Sequence, residues 1–486
     1  MILNNSAGCG VQEGKVSFMS TPNTHYGAAA IASMLRSARS IFFIGIGGVN
    51  MSSLAEISAL RGYRVGGSDR TRTATTDKLA SDGIEVFYSH EAAHVADYDA
   101  VVYTVAISPD NPEYMSAISR GIPCISRADY LGYVMTAYRH RVGVSGMHGK
   151  STCTSMCALA FDRAGADPTV LCGAEMREYG SYYRIGGNEN FVFEACEYMD
   201  SFLDFNPTVA VILNIEMDHV DYFKSITQVR RSYANFASLT GNAGVAVANR
   251  DDQNVRIAMA GYCGKLVTFS PSGDADSDFR AVNVDMSSGL PAFDVMTRGN
   301  DTVIAHIELS VPGIHNVCNA LAAFTAAVVC GLDPASAADG LSGFSGAKRR
   351  MEFKGTVNGA HVYDDYGHHP TEIAATLKGA KAMGYSRVFC VFQPHTYSRT
   401  AGLRDDFVSA LSIADRVILA DIYAAREVDT MGVSSALLAS LIGEKAVYLP
   451  TFDAIAADVF TEAREGDAVI VMGAGDIYKV FPLLKF

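Results

Sequence analysis

From residue 40 onward, short runs rich in β-branched and aromatic residues alternate with helical stretches, and this rhythm narrows the fold more than any other feature. SIFFIG (40–45) reads as a buried strand, NMSSLAEISALRGY (50–63) as a helix closed near Gly62, and RVGGSD and DAVVYT (99–104) as further strands. After a charged break near 138–141 come the strands VGVS, NFVFEA (190–195) and TVAVILNI (208–215). A β-rich patch around 265–311 and the small-residue helix NVCNALAAFTAAVVCG (316–331) follow. A second break falls in FSGAKRR (344–350), and beyond it HVYDD, RVFCVFQP, RVILADIY, KAVYLP and DAVIVMG are strands with helices between. Such alternation builds parallel sheets with helices on both faces. At 486 residues the chain is too long for one core. The expectation is an α/β protein of three domains, 39–139, 140–345 and 346–486, behind a mixed, loose extension at 1–38.

Composition excludes several classes. Hydrophobic residues at 49% and charged residues at 19% fit packed globular domains rather than disorder. A net charge of −13 with no Lys/Arg-rich run argues against nucleic acid as a main partner. No apolar run approaches the ~20 residues that cross a bilayer, so no membrane insertion is expected. MILNNSAGCGVQEGK lacks the basic-then-apolar order of a secretory signal. The ten cysteines form no Cys-x-x-Cys pair, and reduced thiols in the cytoplasm are the simplest reading.

VGVSGMHGKSTCTSM (142–156) is a strand running into a glycine turn and then a small-residue helix, the context a phosphate loop requires. The usual spacing wants glycine where Val144 stands, so a plain strand-to-helix turn stays open on the loop alone. Read as a phosphate loop, amides around Gly146 and Gly149 cradle phosphate oxygens, Lys150 neutralises them and the Ser151 hydroxyl reaches Mg²⁺. Glu194 and Glu197 follow one apolar strand, and Glu216, Asp218 and His219 follow another, where α/β sheets bind ligands. Individually, Glu197, Glu216 and Asp218 read as ordinary solvated acids. In the first domain GIGG opens a helix after a strand, so Gly45, Gly47 and Gly48 form a diphosphate turn, with Asp69 where a ribose-reading acid sits. The third glycine position holds Asn50, and on its own this turn equally suits an NAD-dependent oxidoreductase.

Taken in order and spacing, GMHGKST, FEACE, NIEMDHVD, PGIHNVCN, KRRME and DDYGHHPTE resemble the Mur ligases, ATP-dependent amide-forming enzymes of peptidoglycan precursor synthesis. The resemblance implies Rossmann-like N- and C-terminal domains around a central P-loop-type ATPase domain. It also supplies a loop with its own glycine spacing, which removes the objection at Val144. By that likeness Gly146, Met147, His148, Gly149, Lys150, Ser151 and Thr152 hold ATP, with Met147 where Thr is usual. Asn316 and Asn319, one helical turn apart, meet the nucleotide. Without the likeness they read equally as a helix cap and a packing residue. Arg350 reaches the phosphates and Asp365 the ribose. Ser151, Glu194 and His219 serve Mg²⁺, and Lys150, Glu194, His219 and Arg350 are the implied catalytic set. Cys196 stands where a carboxylate is common.

The first-domain turn, with Gly45, Gly47, Gly48 and Asp69, resembles the branch of that family that takes UDP-N-acetylmuramate and L-alanine. In that branch Tyr366, His368, His369, His395 and Arg399 form the amino-acid pocket. Thr396 replaces a common arginine there, and Arg426 is the candidate for the missing guanidinium. A structural reading has the paired histidines beside Pro370 capping the next helix. The implied reaction joins L-alanine to the sugar's lactyl carboxylate through an acyl phosphate, with ATP and Mg²⁺. A ligase adding a tripeptide to the same sugar nucleotide is the alternative, and both monomer and homodimer stay open.

Overall fold

Runs without polar alternation become central strands, because a strand covered by helices on both faces has no wet side. The computed structural model describes residues 21–220, 222–299, 302–425 and 427–486. Arg426 and the first twenty residues of the extension therefore lie outside the described residues.

The described residues up to Leu131 make one compact unit. Its sheet has five parallel strands, β1 (Ser40–Ile44), β2 (Arg64–Ser68), β3 (Glu85–Phe87), β4 (Ala100–Tyr103) and β5 (Cys124–Ser126), in the order β3-β2-β1-β4-β5. Chain direction across the sheet reverses between β1 and β4, which opens a crevice at their carboxyl ends. Gly45 starts the turn there, and a Cβ on it would strike the Thr104 side chain. Residues 21–38 are not loose. Helix Ala28–Met34 buries Ile31, and the Asp129 carboxylate accepts from the amides of Tyr26 (2.7 Å) and Gly27 (3.1 Å) and from the Thr24 hydroxyl (2.9 Å).

Residues from Gly132 make the second unit, which holds two sheets. The first comprises β6 (His140–Ser145), β7 (Thr169–Met176), β8 (Ser181–Arg184), β9 (Asn190–Glu194), β10 (Val209–Ile212), β11 (Val245–Asn249), β12 (Lys265–Ser270), β13 (Phe279–Asp285), β14 (Ala292–Thr297) and β15 (Val303–Glu308). Their order is β15-β14-β13-β12-β11-β10-β6-β9-β7-β8. Pairing is parallel from β13 through to β7, and antiparallel at β13–β14–β15 and β7–β8, so the expected parallel sheet holds at the centre and changes at both ends. The helices Lys150–Arg163, His315–Val329 and Pro334–Ser342 pack together on this sheet. Small residues let them approach: a Cβ on Gly340 would meet the backbone of Leu159 and Ala160. Cys153 and Cys157 are buried free thiols in this core, as packing residues should be.

The second sheet comprises β16 (Glu352–Val357), β17 (Ala360–Asp365), β18 (Val388–Phe392), β19 (Arg416–Leu419), β20 (Ala446–Tyr448) and β21 (Ala468–Met472). The order is β16-β17-β21-β18-β19-β20, parallel except for the edge strand β16. Among the described residues no helix is long and apolar enough to cross a membrane.

Candidate active site

The buried end of β6 delivers the chain to Gly146 (φ 149°), and Gly149 (φ 83°) caps the helix Lys150–Arg163 in the left-handed region that favours glycine. A side chain at Gly149 would also run into the Asn319 amide. That helix carries no acid in its first turn, so its positive end is free to face an anion. Lys150 Nζ donates to the carbonyls of Gly146 (2.7 Å) and Met147 (3.2 Å) and pairs with Glu197 at 3.0 Å. Burial opposes the charge on Lys150, but Glu197 outweighs it and holds the ammonium above its ordinary value.

Two cavities flank this loop. One of about 180 Å³ is lined by His148, Gly149, Thr152, Asn316, Asn319, Arg350 and Asp365. The other, about 370 Å³, is lined by Met147, Lys150, Ser151, Glu194, Glu197, Asp218, His219, Arg350, Tyr366 and His368. Gly149, Arg350 and Glu372 belong to both walls, so the two spaces adjoin at the loop. Asn316 lies inside its helix, not at its cap, with Nδ2 donating to Pro312 O at 2.7 Å and its Oδ1 accepting from Asn319 at 3.0 Å. Asp365 ends β17 and accepts from the amides of Met351 (2.9 Å) and Gly367 (2.7 Å), and burial raises its carboxyl to about 6 despite nearby Arg350.

The solvated reading fails for Glu197 and Asp218, while Glu216 stays half-buried with its carboxylate paired. Glu197 is 0% and Asp218 5% exposed. Burial would raise Glu197, yet Lys150 and His219 hold it below its ordinary range. Its Oε1 lies 3.2 Å from His219 Nε2. Burial likewise opposes ionisation of Glu216, and His148 and Thr371 bring it down to about 2. The partners come from distant parts of the chain, which no local pattern reveals.

Glu194 accepts from the Gly173 amide at 2.7 Å. With the Ser151 hydroxyl it gives the second cavity a pair of hard oxygen donors, a set suited to Mg²⁺, which keeps waters and substrate phosphates as its other ligands. A different trio is tightly grouped: one ring nitrogen each of His148 and His369 and an oxygen of Glu216 lie within 4.8 Å of one another. Burial opposes a charge on His148, but Glu216 and Glu372 push it up to about 9. His369 Nδ1 accepts from the Thr371 amide, which leaves that ring's hydrogen on Nε2. Glu216 ties the loop to the helix Pro370–Ala382, meeting His148 Nε2 at 3.3 Å and accepting from the Thr371 hydroxyl at 2.6 Å.

That helix shows why the capping reading of the histidines is also sound. His369 is its N-cap, and Glu372 completes the capping box. Glu372, absent from the sequence-derived site, pairs with His148 (3.5 Å), His368 (3.5 Å) and Arg350 (3.6 Å). The signal for it was the His-Pro-Thr-Glu helix start. Burial holds His368 neutral, at about 4. The Tyr366 ring lies under the Arg350 guanidinium, 5.5 Å from its centroid. His395 stacks on Tyr423, and Arg399 lies between His395 and Asp218. Non-glycine residues with positive φ gather here, at His219, Arg349, Met351 and Thr396. Such strain clusters at functional sites.

In the first unit, the turn after β1 places Gly48 as the cap of helix Val49–Leu60. The Gly47 amide donates to Asp69 at 2.9 Å, so Asp69 braces the turn from the end of β2.

A glycine-capped phosphate loop beside an acid-lined cavity, on a parallel α/β core, defines a nucleotide-using α/β protein. Residues 40–139 match the pattern described as Mur ligase family, catalytic domain. Residues 144–327 match Mur ligase middle domain, and 349–475 match Mur ligase, glutamate ligase domain. The UDP-N-acetylmuramate–L-alanine ligase of Caldanaerobacter subterraneus subsp. tengcongensis is 44% identical over 92% of this chain and 97% of its own length. That of Clostridium novyi is 44% identical over 91% of this chain and 96% of its own. Among solved structures, the UDP-N-acetylmuramate–alanine ligase of Thermotoga maritima aligns with TM-score 0.74 and 27% identity, over 92% of this chain and 98% of that one. A murein peptide ligase of Psychrobacter arcticus aligns with TM-score 0.67 and 25% identity, over 92% and 98%. The chain belongs to the Mur ligase family.

Proposed function

We propose that this chain joins L-alanine to the lactyl carboxylate of UDP-N-acetylmuramate at the expense of ATP, in peptidoglycan precursor synthesis. The observation that carries the reading is the adjoining pair of cavities, one lined by paired asparagines and Asp365, the other by Lys150 and the acids, meeting at Gly149 and Arg350. The likeness to ligases of that name over nine-tenths of the chain supplies the substrates.

A carboxylate is a poor electrophile, so it must first be phosphorylated. A carboxylate oxygen attacks the γ-phosphorus, the bond to the β,γ-bridging oxygen breaks, and ADP leaves. The amine of L-alanine then attacks the acyl carbon, the acyl carbon–oxygen bond breaks, phosphate departs and the amine's proton passes to solvent. Lys150 turns from Glu197 and the loop carbonyls to the phosphates, and Arg350 faces the same oxygens from the linker, so alignment and charge neutralisation do most of the work. Mg²⁺ held by Ser151 and Glu194, with His219 beside them, would neutralise the triphosphate. The Tyr366, His368, His369, His395 and Arg399 group receives the amino acid, and the Gly45–Gly48 turn receives the UDP diphosphate, with Asp69 as the acid that reads the ribose. ATP and a sugar nucleotide as substrates, together with free cysteines, support a cytoplasmic enzyme.

The test is phosphate release with UDP-N-acetylmuramate and, separately, L-Ala, Gly, L-Ser or a tripeptide. Release with L-Ala is expected. Release with the tripeptide alone would make the chain a recycling ligase, and release independent of both acceptor and sugar would remove the ligase reading.

A further inference from the structure

Arg399 is 8% exposed, and its partner comes from the other sheet of its unit. Nε donates to Asp218 Oδ1 at 3.0 Å, Nη2 to Asp218 Oδ2 at 3.4 Å, and Nη1 to His395 Nδ1 at 3.2 Å. Burial and Arg399 keep His395 below its ordinary value, so its ring is neutral and able to accept. Of a guanidinium's five N–H groups, two are taken by Asp218 and one by His395, which leaves two for a ligand.

The same carboxylate reaches the other way, since Asp218 Oδ1 accepts from the His219 amide at 2.6 Å. The His219 ring meets Glu197, and Glu197 meets Lys150. Thr396, left-handed at φ 66°, caps the short helix that carries Arg399, and its Oγ1 accepts from the Arg399 amide at 3.4 Å. Arg399 is therefore aimed by Asp218, which lines the second cavity, and by a strained turn on its own side.

We propose that Asp218 is a positioning residue for the acceptor: it holds Arg399 so that the two remaining N–H groups meet the carboxylate of the incoming amino acid, and so sets acceptor affinity. This rests on the ligase reading above. Asp218 occupies the Nε–Nη2 side of the guanidinium, so an acceptor carboxylate must approach its Nη1–Nη2 end. Asp218 takes no part in phosphoryl transfer.

The experiment is steady-state kinetics of Asp218→Asn, a near-isosteric change that keeps the volume and removes the charge. The KM for L-alanine should rise about tenfold or more, the scale of one charge-assisted hydrogen bond, while saturated kcat and the KM for MgATP stay within about threefold. In Arg399→Lys the acceptor KM should rise similarly, and the double variant should be no worse than the poorer single one by more than about threefold, as for residues acting as a unit. Asp218→Glu, which retains the charge, should recover part of the acceptor affinity and covers the case of a misfolded asparagine variant. An unchanged alanine KM in Asp218→Asn, a loss confined to kcat, or independent multiplication of the two single effects would overturn the assignment. Wild-type enzyme inactive with L-alanine would instead overturn the ligase reading, so the two failures are told apart.

Discussion

Two turns in this molecule begin alike and end differently. The Gly45–Gly48 turn and the Gly146–Gly149 loop each follow a buried parallel strand and start a helix whose first turn holds no acid. Both therefore present backbone amides and a positive helix end to an anion. The first has no lysine and is braced by Asp69 on the Gly47 amide, whereas in the second Lys150 lies folded onto its own loop carbonyls and Glu197. A diphosphate that is only held needs shape and amides. A phosphate that is to be transferred needs a mobile positive charge, kept in readiness by a carboxylate that can let it go.

The largest effect that sharpens this contrast is Lys150→Ala. Turnover should fall on the order of 10³-fold or more, while UDP affinity of the first unit, read by titration calorimetry, stays within about twofold. Loss of both would mean the two turns are not independent devices. Gly47→Ala is the mirror change: its new Cβ would lie 2.8 Å from Asp69 Oδ2 and 2.9 Å from Thr76 Cγ2. UDP-sugar affinity should drop about tenfold with kcat at saturation unmoved, which KM and kcat measured separately will show.

A smaller effect comes from pH. Asp365 is raised to about 6 by burial, so its ionised form, the one proposed to accept from the ribose, is full above that pH and lost below it. ATP affinity should weaken severalfold as pH falls from 7 to about 5, and Asp365→Asn should flatten the profile. The sign is opposite for the ligand-free fold, whose stability should decline from about pH 4 to about 6, where the native state keeps a proton that the unfolded chain has released. Smallest of all is Met147→Thr. The Met147 backbone donates to Asn214 O and accepts from Lys150, while its side chain packs out of solvent. ATP KM should change by less than about threefold, and a larger change would show that the loop reads nucleotide through this side chain.

What was legible in the sequence was whatever local chemistry writes into it: the strands buried on both faces, the glycine turns, and the motif order that carries the family resemblance. What escaped it was made by pairing across the fold. Asp218 meets Arg399 from 181 positions away, and Glu216 meets Thr371 from 155. Read singly, each such acid is a polar residue at a loop mouth, and only the partner shows Asp218 to be a buried charge and Glu216 a half-buried, paired one. The edge pair β7–β8 escaped for another reason: ladder hydrogen bonds, not apolar runs, define it. The segment 21–38 looked loose because its order comes from Asp129, about a hundred residues further on.

The central claim is that the sugar's carboxylate is phosphorylated before the amine arrives, and isotope transfer tests it most directly. With ¹⁸O in both oxygens of the lactyl carboxylate, ATP and L-alanine, each phosphate released should carry one ¹⁸O atom, because the oxygen that attacked phosphorus leaves with it. Phosphate free of label, with one heavy oxygen in the amide product and the other recovered in water, would contradict an acyl phosphate and with it the account of the loop around Lys150.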